Sequence, residues 1–88
     1  MHAIVIRSTL NDFERAIASL RDEVIPRVKQ APGFVSAQWV RLDESTGTAM
    51  LTFETAEETQ AALEMMKASP PVGVTIDSIA AGEVVARI

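Results

Sequence analysis

Phe34–Glu54 reads FVSAQWVRLDESTGTAMLTFE, and the way it divides decides the fold. Phe34–Leu42 is rich in aromatic and β-branched residues, as is Thr48–Glu54, and both read as strands. Between them Asp43-Glu44-Ser45-Thr46-Gly47 is a cluster of turn formers. Two strands joined by so short a Gly-containing loop predict an antiparallel hairpin. Strict alternation puts Phe34, Ser36, Gln38, Val40 and Leu42 on one face, and Val35, Ala37, Trp39 and Arg41 on the other.

Upstream of the hairpin the period changes to that of a helix. Phe13, Ala16, Ile17, Leu20, Val24 and Val28 recur at three- and four-residue steps and form one apolar stripe. Asn11 followed by Glu14 fits a capping box at its start. Pro26 lacks an amide donor and crowds the preceding turn, which predicts a kink near Glu23 or Val24. Ala31-Pro32-Gly33 ends the helix. Before it, His2–Ser8 (HAIVIRS) is a strand with Ile4 and Ile6 on one face and Ala3 and Val5 on the other.

Downstream, Thr55-Ala56-Glu57-Glu58 repeats the capping box, and Ala56–Ala68 is a second helix with Ala62, Leu63 and Met66 as its buried stripe. Pro70-Pro71 stops it. Val72–Ala80 alternates again, Val74, Ile76 and Ser78 against Thr75, Asp77 and Ile79, as a further strand. Glu83–Ile88 (EVVARI) is expected as a short extra strand or tail. The order is β-α-β-β-α-β in one domain spanning 1–88. Right-handed crossovers place both helices on one face of a four-stranded antiparallel sheet, an α+β, ferredoxin-like arrangement. The strands are apolar on both faces, yet two helices cover only one. An uncovered face of that kind calls for a second copy, so an obligate homodimer is expected.

Composition narrows the function classes. Twelve acidic against eight basic residues give a net charge of -4, which offers no electrostatic footprint for nucleic acid or for an anionic membrane surface. Zero cysteines remove disulfides, thiol catalysis and cysteine-based metal sites. The four glycines are isolated and form no phosphate-cradling loop. The strand Thr48–Glu54 has one aromatic and no base, unlike the RNA-binding modules of this topology. No apolar run is long enough to span a membrane or to form a signal segment, so a cytoplasmic location is expected.

Few side chains point to chemistry. His2 is the only histidine; an imidazole offers a base at a strand mouth, but a place beside a fraying terminus is the plainer reading. No cluster suits a metal. The adjacent carboxylates Asp22-Glu23, Asp43-Glu44 and Glu57-Glu58 are solvated helix and turn residues, because helix neighbours do not share a face. Trp39 offers a flat pocket floor with Arg41 on the same side as a donor fork, or else ordinary core or interface packing. Arg7 reaches solvent or meets a carboxylate such as Asp77 or Glu54, and Met50, Met65 and Met66 read as core filler.

The strand at the initiator Met, the helix ending in Val24-Ile25-Pro26, Ala31-Pro32-Gly33-Phe34 after it, and Phe53-Glu54-Thr55-Ala56-Glu57-Glu58 entering the second helix together resemble the antibiotic-biosynthesis-monooxygenase-like family of dimeric α/β barrels. The resemblance spans nearly the whole chain in element order. It implies a homodimer whose sheets pack face to face, and a pocket near the aromatic of the third strand. The expected apolar wall is then Phe53, Leu51, Trp39, Leu20 and Met66, with Arg41 or Gln38 as the polar contact. Some members are cofactor-independent oxygenases of aromatic or quinol compounds, some degrade haem, and many have no assigned activity. Haem degraders pair an Asn on the first strand with a Trp ending the third and a His on the second helix. Here those places hold Ile4, Val5 and Ile6, then Phe53, and no His lies in 56–69. The expected function is a homodimeric binder of a small apolar or aromatic molecule held between helices and sheet, with no cofactor. The alternatives are a cofactor-independent monooxygenase and a structural or regulatory dimerisation module.

Overall fold

Apolar, β-branched runs pair most widely where both strand edges are used, and β1 (His2–Leu10) takes such a central place. The computed structural model describes Met1–Ile88, with β1 flanked by β3 (Thr46–Phe53) and β4 (Val74–Glu83), and β2 (Phe34–Arg41) outside β3. All pairings are antiparallel, in the order β2-β3-β1-β4. The first helical run comprises α1 (Phe13–Ser19), a π-helical turn (Leu20–Val24) and α2 (Ile25–Lys29); α3 (Ala56–Ala68) connects β3 to β4. This α+β arrangement is compatible with a ferredoxin-like fold. No helix is long and apolar enough to cross a membrane.

The core lies between the sheet and the helices. Ile4, Ile6, Ala49, Leu51 and Phe53 from the two central strands pack with Val28 of α2 and with Ala62 and Leu63 of α3. On the opposite face Val5, Val40 and Met50 stay 44–47% exposed. The alternation of β1 and β3 therefore follows the sequence expectation. That of the two edge strands does not, because each carries a bulge. Phe34 pairs with Phe53 and Ser36 with Thr52, leaving Val35 as an extra residue. Arg7 pairs with Ser78 and Ser8 with Ile76, leaving Asp77 unpaired in the ladder. An added residue reverses the facing of everything beyond it. Phe34 thus turns to the helix side, where its ring meets that of Phe53 edge-on at 6.0 Å, and Ile79 joins Ile76 against the core.

Local signals explain the helix ends. Thr55 caps α3: its hydroxyl accepts the Glu58 N–H at 3.1 Å and donates to the Glu58 carboxylate at 3.0 Å. The cap of α1 is Asp12, which accepts the Arg15 N–H at 3.2 Å. Asn11, expected in that role, instead donates from Nδ2 to the Thr75 hydroxyl at 2.8 Å, tying β1 to β4. The expected kink takes the form of the π turn, in which the Ile25 N–H reaches back five residues to the Leu20 carbonyl. Widening the helix just before Pro26 relieves the crowding between its ring and the preceding turn. After Glu83 one further bond continues the ladder, from the Val84 N–H to the Met1 carbonyl at 2.9 Å. Residues 84–88 have no strand structure in the single chain, and Val85 and Ile88 are exposed.

Gly73 joins the loop after α3 to the start of α1. Its φ is +82°, and its carbonyl accepts the N–H groups of Asn11 and Asp12 at 2.9 and 3.0 Å. A Cβ there would lie 2.7 Å from the Asp12 carbonyl oxygen and 2.9 Å from the Ala16 nitrogen, both backbone atoms that cannot swing away. Gly73→Ala is expected to cost about 1–3 kcal/mol through backbone strain alone. Gly82→Ala, which meets open space, should change stability by less than about 0.5 kcal/mol. Urea denaturation of the two variants checks the difference.

Candidate functional site

An amphipathic helix on a sheet ordinarily buries its stripe, but α1 and the π turn bury no residue at all. Phe13, Ala16, Ile17, Leu20 and Val24 point toward the sheet and remain only half-buried. Between them and the strands is a cavity of about 800 Å³. Its floor includes Ile6, Ala49, Trp39, Ile76 and Ile79 from the strands; Ala62, Met65 and Met66 of α3 form one side, and the Pro70–Val72 loop closes an end.

Two attachments hold α1 at the height that leaves this space. One is the Gly73 contact at its N-terminus. The other is Arg41, at the end of β2, whose guanidinium lies 3.8 Å from the centre of the Phe13 ring. Arg41 is itself fixed by the hairpin turn, donating to the carbonyls of Asp43 and Glu44 at 3.2 Å each. The turn is tightened by Asp43, whose carboxylate accepts the Ser45 N–H at 2.9 Å. That bond, with help from Thr46, holds the Asp43 carboxyl below its ordinary value, so the turn keeps its charged acceptor further into acid than an isolated Asp would. At the far end of the run, Val28 drops into the core.

Chemically the wall is a receptacle. It contains no His, Asp or Glu. The Thr48 hydroxyl is turned to the Ile6 carbonyl at 2.8 Å and that of Ser8 to the Gly47 carbonyl at 3.4 Å, so these oxygens are already engaged with backbone. What it offers is apolar surface, an indole face and three cationic side chains, Arg27, Arg41 and Lys67.

The structure brings five of the expected residues to this cavity: Phe53, Trp39, Arg41, Leu20 and Met66. Leu51 shares their side of the sheet but is fully buried in the core beside them. Gln38 is on the opposite face, paired with Met50. His2 also lies outside the wall, in register with Phe53 and Glu83; its Nδ1 is buried without a hydrogen-bond partner. Sequence reasoning did not assign Phe13, Ile17 and Val24 to a site, although they belong to the stripe it identified. Nor did it pick out the proline loop, Arg27 or Lys67. The chain matches no family model and no curated protein.

The half-buried wall contributes less to stability than the core beneath it. Leu20→Ala is expected to cost under about 1.5 kcal/mol, against about 2–5 kcal/mol for Leu51→Ala. Urea denaturation of both variants reads the contrast, and equal large losses would mean that the helix settles onto the sheet.

Proposed function

We propose that this chain is a small homodimeric binding protein that holds an apolar or aromatic molecule between its first helical run and its sheet. The observation that carries the reading is the cavity: about 800 Å³, with 20 hydrophobic residues among the 30 that line it. A volume in that range suits a drug-sized ligand. A monomer of this length has little core to spare, so leaving the α1 stripe half-exposed costs stability that burial against a ligand would recover. The β-α-β-β-α-β order and the Ala31-Pro32-Gly33-Phe34 helix ending support a relation to the antibiotic-biosynthesis-monooxygenase-like dimeric barrels.

The second half of the proposal concerns the other face. Val5, Met50 and Val40 stand exposed there beside Ala3 and Ala80, and Arg7 is the only basic residue among these strand positions. A two-fold pairing of this face with its copy would cover the apolar side chains with one self-complementary surface. Residues 84–88, with Val85 and Ile88 exposed, lie at the end of edge strand β4 and can extend the pairing.

Binding is tested with N-phenyl-1-naphthylamine, a neutral probe whose fluorescence rises in apolar surroundings. Saturable binding is expected for the native chain and for Ala18→Trp, on the exposed outer side of α1. Leu20→Trp, which fills the cavity, should weaken it by about tenfold or more. Absence of saturable binding to the native chain would refute the binding reading.

Association is tested separately by light scattering. The native protein should elute at twice its 9.5 kDa chain mass, and Met50→Lys should shift it toward the single-chain mass. A native monomer would remove the dimer and the barrel from the proposal while leaving the cavity untouched.

A further inference from the structure

The chain carries more acidic than basic residues, so a wall indifferent to charge would hold mostly acids. The cavity reverses this. Its charged lining residues are Arg27, Arg41 and Lys67, and no carboxylate joins them. The acids of the same helices, among them Glu14, Asp22, Glu23, Glu57 and Glu64, are exposed outside the wall. We propose that the ligand is an amphipathic organic anion, its apolar body in the cavity and its charged head toward the exposed lining cations Arg27 or Lys67. This rests on the binding reading above and narrows it to a chemical class.

The three cations differ in what they are free to do. Arg41 is engaged with Phe13 and with two turn carbonyls, so its charge contributes to the local field while its geometry serves the scaffold. Arg27 and Lys67 are exposed and sit in the last turns of α2 and α3. A helix C-terminus favours a cation whatever lies nearby. That preference does not explain Arg27's position on the wall, because Lys29 satisfies it in the same turn without lining the cavity. Long basic side chains lay their methylenes along apolar surface and keep the charge at its edge, which is how they would meet an anionic head without burying an unpaired charge. A neutral ligand gains nothing from this arrangement, and a cationic one is repelled.

The test compares three probes with the same ten-carbon body: decanoate, 1-decanol and decyltrimethylammonium. Trp39 fluorescence reports binding, since this single tryptophan lines the cavity. Decanoate is expected to bind about tenfold tighter than 1-decanol, with decyltrimethylammonium weakest and the preference shrinking as salt is raised. The double variant Arg27→Gln, Lys67→Gln should bring decanoate to within about threefold of 1-decanol, by weakening decanoate far more than 1-decanol. Both positions are exposed, and circular dichroism checks that the variant keeps its fold. Equal affinity for all three probes overturns the anion inference and leaves the binding reading intact. A decanoate preference that survives the double substitution overturns the assignment to these cations. Failure of every probe to bind overturns both readings together.

Discussion

The first helical run is fastened at its two ends and spans a gap between them. At one end the Gly73 carbonyl receives the N–H groups of Asn11 and Asp12, and the Arg41 guanidinium rests on Phe13. At the other, Val28 is buried in the core. Ile17, Leu20 and Val24 lie between these anchors, half-buried, over the cavity. Hydrophobic attraction is non-directional and would pull the stripe onto the sheet were the ends free to follow. Backbone contacts do not yield in that way. The carbonyl of Gly73 and the ring of Phe13 set a height, and the cavity is the consequence.

The π turn belongs to the same constraint. It lies in the spanning portion, directly before Pro26, where an ordinary helix would have to tolerate a missing hydrogen bond and a clash. The extra residue in that turn changes the direction from which α2 enters the core, so Val28 reaches its place while the residues before it stay raised. Sequence and scaffold agree here: the proline that prevents a regular helix sits where the helix must change from spanning to docking.

Much of this was legible in the sequence, and the illegible parts share one physical origin. The element order followed from period changes, the hairpin from Asp43–Gly47, and the cap of α3 from Thr55 and Glu58. The faces of β2 and β4 went astray at Val35 and Asp77, where one added residue reverses the count. A bulge has no compositional mark: Val35 is β-branched like its neighbours, and Asp77 reads as one more polar alternation. For the site, periodicity gave the direction of the α1 stripe but not its distance from the sheet, and a stripe facing a cavity has the same spacing as one packed in a core. Phe13, Ile17 and Val24 were visible as apolar and invisible as a wall. Leu51 shows the converse, a residue on the right side of the sheet that packs in the core without lining the cavity, although the equally buried Phe53 does line it.

A sheet one layer thick lets neighbouring residues serve different surfaces. Ile4 and Ile6 face the helices while Val5 faces away; Ala49 and Leu51 do the same on either side of Met50, and Trp39 lies between Gln38 and Val40. Both surfaces are apolar, but they are built differently. The helix side is concave, carries cations in its lining and is roofed by a helix held at fixed height, which suits a small guest. The open side is a pleated surface with short side chains at Ala3 and Ala80 beside Val5 and Met50, which suits another sheet better than a small molecule. The two functions proposed for this chain therefore depend mainly on alternate residues of the same strands, with Val40 near the end of β2 bordering both, and a change at Met50 need not disturb Leu51 one residue away. Coupling between the faces would have to pass through the backbone of β1 and β3, the two strands paired on both edges and the least able to shift.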